Sequence, residues 1–81
     1  MTWTATVDKV IGASDEFIIM VLFTVSDGTF SQTVSFSWNS QSQTPAEFKA
    51  EVKEGILFML PGIKKAAQAH NFVGQSIVVE A

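Results

Sequence analysis

The stretch "EFIIMVLFTVSDGTF", residues 16–30, constrains this chain more than any other, because its strand-forming run is apolar on both sides. In an extended chain, successive side chains point to opposite faces of the sheet. Phe17, Ile19, Val21, Phe23 and Val25 share one face; Ile18, Met20, Leu22, Thr24 and Ser26 share the other. A strand hydrophobic in both directions is expected at the centre of a sheet. The same run falls far short of the ~20 apolar residues that span a bilayer as a helix, so no transmembrane helix is expected.

The flanking segments supply its neighbours. Between Trp3 and Val10, the apolar residues Trp3, Ala5 and Val7 alternate with Thr2, Thr4, Thr6 and Asp8, which reads as a half-buried first strand. "IGASDE", residues 11–16, reads as a hairpin loop. Asp27-Gly28 lies between two strand-like runs and suits a type I′ turn, which needs positive φ at both central residues. From Phe30 to Trp38, Phe30, Val34, Phe36 and Trp38 alternate with Ser31, Thr33, Ser35 and Ser37, giving a third strand with a wet face.

"TPAE", residues 44–47, opens a helix: Thr44 is a ready N-cap, Pro45 sits where its missing N–H costs nothing, and Glu47 closes a capping box. Phe48, Val52, Ile56, Met59 and Leu60 recur at helical spacing to about Leu60, with Leu57 widening the stripe. Gly55 within that stripe suggests close packing on the sheet. Pro61-Gly62 is expected to stop or kink the helix, with a short second helix over Ile63 to His70 and a last strand over Val73 to Glu80. The last strand would pair at an edge or run parallel beside the first. The whole reads as one α+β domain over residues 1–81, a two-layer sandwich with an antiparallel three-stranded meander, a helix, a short second helix and a C-terminal strand.

Composition narrows the function. Hydrophobic residues make up 47% of the 81 and charged residues only 16%, which leaves little charge to keep a lone small domain dispersed. All basic residues are lysines and the net charge is -3, so nucleic acid is not expected as a partner. Without cysteine no disulfide is available, and the start Met1-Thr2-Trp3-Thr4 lacks the charged and apolar regions of a secretory signal. His70 is the sole histidine and is expected to sit at a helix C-terminus rather than to bind metal. Asp15-Glu16 reads as a solvated loop, because adjacent strand residues point apart. The serines lack a nucleophile elbow and the glycines lack phosphate-cradling spacing. Neither catalysis nor a cofactor or metal is expected. Trp3 and Trp38, in phase with their strands, read as core residues rather than as a binding platform.

One surface stands out. If helices cover the Phe17–Val25 face, then Ile18, Met20 and Leu22 point away from them, between hydroxyl-bearing strands. Burying three such side chains is worth roughly 5–9 kcal/mol, comparable to the whole stability of a small domain, about 5–15 kcal/mol. Either sheet curl, the short helix or a terminus covers them, or they form an interface for a protein partner or a second copy, making a homo-oligomer.

The order "MTWTATVDKV", an apolar strand, "VSDGTFSQTVSF" and a helix opened by "TPAEFKAEV" resembles small proteins of tailed bacteriophages and prophages. The resemblance covers residues 1 to about 54; "FMLPGIKKAAQAHNFVGQSIVVEA" departs from it. It implies a phage setting, in the cytoplasm of a bacterial host or in the virion, and a structural or tail-assembly role. It transfers no site residue. The alternative is an intracellular binding module, a host-protein inhibitor or a small-ligand carrier using a gap between sheet and helix.

Overall fold

The computed structural model describes residues 2–13 and 15–80. Strands β1 (Thr4–Ala13), β2 (Ile18–Ser26) and β3 (Ser31–Asn39) form an antiparallel sheet in the order β1-β2-β3, followed by helix α1 (Pro45–His70). This is the expected α+β meander and helix, with β2 at the centre.

The core forms where two apolar stripes meet. Val21, Phe23 and Val25 of β2 are buried against Phe48, Val52, Ile56 and Ile63 of α1. Phe23 lies at the middle of this layer, edge-on to Phe36 with ring centroids 5.7 Å apart and tilted against Phe48 at 6.1 Å. Such offset aromatic pairs add about 0.5–1.5 kcal/mol each beyond simple burial. Trp3 and Trp38 pack at the edges of this core, and Trp38 satisfies its indole N–H on the Gln43 carbonyl at 3.1 Å.

Local chemistry sets the element boundaries. Thr44 and Glu47 form the capping box, the Thr44 side chain accepting from the Glu47 N–H at 3.2 Å and the Glu47 carboxylate accepting from the Thr44 N–H at 2.9 Å. Asp15 accepts from the Phe17 and Ile18 N–H groups and starts β2. The β2–β3 connection is not the expected type I′ turn. Ser26 pairs with Ser31, residues 27–30 form the loop, and only Gly28 there has positive φ, at 99°. The Asp27 carboxylate accepts from both Thr29 and Phe30 N–H groups, and this local bonding overrides the two-residue turn.

Three further expectations are corrected. First, α1 does not stop at Pro61-Gly62 and there is no separate second helix: one helix of 26 residues runs to His70. Pro61 lies on an exposed position, where the Leu57 carbonyl left without its N–H partner can be hydrated, and Ile63, 2% exposed, anchors the next turn in the core. Second, Val73–Glu80 does not form a strand. A turn follows the helix, with the Val73 N–H donating to His70 and the Gln75 N–H to Phe72, and Gly74 takes φ 85°. Residues 75–80 continue without ladder partners, with Ile77, Val78 and Val79 at 85–88% exposure. β-propensity alone cannot make a strand, because its N–H and C=O groups need a neighbour. Third, β1 is exposed along its length instead of half-buried. The helix lies across β2 and β3 and leaves the outer strand bare.

Gly55 confirms the expected close approach: a Cβ built there would lie 2.7 Å from Cε1 of Phe36. Gly55→Val should therefore destabilise by about 1–3 kcal/mol in chemical denaturation, and by less in a Phe36→Leu background, where that ring carbon is gone. Backbone N–H groups hold the Asp15, Asp27 and Glu47 carboxyls below their usual range, Glu47 also through the Thr44 hydroxyl. A lowered folded-state pKa contributes stability that is full above the ordinary carboxylate range and is lost as pH falls through the lowered value. The thermal midpoint should hold from pH 7 to about 5 and drop below about pH 4, with a shallower acid drop in an Asp15→Asn/Asp27→Asn/Glu47→Gln variant followed by circular dichroism.

Candidate functional site: the bare sheet face and the open groove

The sheet has two faces of different character. On the helix side, Ala5, Val7, Val10 and Ala13 of β1 pair with Val25, Phe23, Val21 and Ile19 of β2. Simple alternation would have put Val10 on the opposite face from Val7. Register shifts between Val7 and Lys9, and between Val10 and Gly12, reset the phase and keep β1's apolar residues on one side.

On the opposite side, Ile18, Met20 and Leu22 form one line along β2, each half-buried. Ile18 pairs with Asn39, Met20 with Gly12 and Ser37, and Leu22 with Lys9 and Ser35. These neighbours are short or polar, so the three apolar side chains stand as a ridge with hydroxyls beside it. The Ser37 hydroxyl reaches the Met20 sulfur at 3.3 Å, a weak donor–acceptor contact. Among the described residues no helix or strand lies over this face, so neither the C-terminal segment nor a second helix supplies its cover.

A second feature lies on the helix side. Because α1 leaves β1 uncovered, a groove of about 620 Å³ opens between them. Ala5, Val7 and Phe23 contribute to its floor, Val52, Ile56 and Leu60 to its wall, and Lys49, Lys53 and Lys64 to its rim. Among the described residues no carboxylate lines it, although acidic residues outnumber lysines in the chain. The sequence carried a partial signal for this groove. Lys49, Lys53, Leu57, Leu60 and Lys64 follow one another at spacings of three and four, a second helical row flanking the buried stripe. That row widens the apolar face beyond what two strands cover.

The chemistry-bearing side chains serve local structure. Asp15 and Asp27 hold turns, Glu47 caps the helix, and the His70 ring lies tilted against Phe30 with centroids 5.7 Å apart. Among the described residues no three carboxylate or imidazole side chains gather as a metal site, and no helix is long and apolar enough to cross a membrane. No family profile, curated protein or solved structure matches the chain.

Proposed function

We propose that this chain is a small structural or assembly protein of phage or prophage origin, acting by protein–protein contact and without catalysis, in the cytoplasm of a bacterial host or in the virion. The observation that carries the reading is the uncovered ridge of Ile18, Met20 and Leu22, backed by the exposed apolar residues of β1 and of the C-terminal segment. Val7, Val10 and Ile77 are 57%, 63% and 88% exposed. Isolated exposed apolar residues are ordinary, whereas patches on several surfaces of one 81-residue chain point to contact with other chains. The resemblance of residues 1 to about 54 to small phage proteins supports the same reading. A partner surface also accounts for the low charge content, since a surface that will be covered is depleted in charge at its core.

The groove favours a second reading, a binding module that holds a small apolar ligand between sheet and helix. Concave, mostly apolar sites with a few polar groups at the mouth are the usual form of such sites. The two readings differ in the state of the free protein.

Light scattering coupled to size exclusion over a concentration series separates them: the assembly reading expects a dimer or larger species, the binding module a monomer throughout. Met20→Glu should disperse the oligomer and leave the far-UV spectrum unchanged, because a charge on the ridge is desolvated only when a partner covers it. An oligomer unaffected by Met20→Glu would move the contact off this face, and an unfolded Met20→Glu monomer would make the residue core.

A further inference from the structure

We propose that the groove between β1 and α1 receives the C-terminal segment, Gln75–Glu80, of a second copy of this chain, which adds to the outer edge of β1 as a fourth strand. The inference rests on the assembly reading and adds to the ridge of Ile18, Met20 and Leu22 a second contact between copies.

Groove and segment are complementary in backbone and side chains. β1 pairs with β2 on one side, and among the described residues nothing pairs with its other edge. Its two register shifts lie in the half beyond Val7, so Thr4–Val7 is a regular, unpaired edge, and this is the half that lines the groove. Gln75–Glu80 is the reciprocal object, a segment rich in β-branched residues whose backbone has no ladder. Alternation along it places Ile77 and Val79 on one side, toward the apolar groove, and Ser76, Val78 and Glu80 on the other. Strand addition of this kind draws affinity from main-chain bonds and specificity from alternate side chains.

In its own chain the segment does not pack into the groove: Ile77, Val78 and Val79 stay 85–88% exposed, and none of the three lines it. The segment's origin is the end of the molecule that holds the regular half of β1. Phe30, whose ring lies against His70, is in the loop after Ser26, and Ser26 pairs with Thr4. A two-fold axis at that end lets each chain give its segment and receive the other's, a closed and symmetric exchange.

The cysteine-free chain makes the test direct. Ile77→Asp/Val79→Asp changes only residues 86–88% exposed, so the monomer should keep its fold. The dimer dissociation constant, read by light scattering over a concentration series, should rise by about a hundredfold or more for the loss of two buried β-branched contacts. Equimolar single-cysteine chains, Thr6→Cys and Val78→Cys, should yield a covalent heterodimer on mild oxidation. Three results would overturn the proposal. Closure of the Thr6→Cys/Val78→Cys double variant as a cross-linked monomer would show that the segment folds onto its own β1. An oligomer that survives Ile77→Asp/Val79→Asp but is dispersed by Met20→Glu would sink this inference and leave the assembly reading standing. A full-length chain that stays monomeric and takes up oleate in the groove would remove both.

Discussion

Phe23 is the contact on which the rest of this structure leans. Its ring touches both the next strand, through Phe36, and the helix, through Phe48. Around it, Val21 and Val25 complete the sheet side and Val52, Ile56 and Ile63 the helix side. A chain of this size buries about 60–65% of its unfolded surface, so a single layer of contacts carries most of its stability. Gly55 belongs to the same arrangement: by having no side chain, it lets the helix settle against Phe36 and brings the Phe48 ring within range.

The cost of one helix on a three-stranded sheet is incomplete cover. A helix is about 10 Å wide and neighbouring strands are about 4.8 Å apart, so it shields roughly two strands. Here those are β2 and β3, and β1 is left with exposed valines, a free edge and a groove at its side. Among the described residues, no helix or strand covers the opposite face of the sheet. The chain thus has surfaces of three kinds that a partner could use: a ridge, an edge and a groove. They differ in what they recognise. The ridge offers apolar area with no backbone partners, while the edge and groove together offer both, which makes them the better match for a segment without ladder partners.

Much of this was legible in the residues. The period-two alternation of β2 and β3, the doubly apolar character of β2, the capping box at Thr44 and the close approach at Gly55 are local statements, and each is visible within a few positions of the chain. The ridge of Ile18, Met20 and Leu22 follows from the same alternation. The errors share a cause as well. Pro61 has a strong local meaning, yet Ile63 is buried in the core and carries the helix through it. Asp27-Gly28 favours a two-residue turn, yet the carboxylate of Asp27 finds two N–H donors and sets a longer loop. The last β-branched stretch has the composition of a strand, but composition does not supply a neighbour.

The sequence by itself determined the order of the elements, their starting points and the two apolar faces of the central strand, because these depend on side-chain periodicity and on groups that bond within a few residues of one another. Only the tertiary structure decided which strands the helix covers, that α1 runs unbroken past Pro61, that register shifts hold Val7 and Val10 on one face of β1, and that Gln75–Glu80 stands free of the sheet. Each of those outcomes is set by contacts between residues far apart in the chain, where packing of the Phe23 layer outweighs local preference.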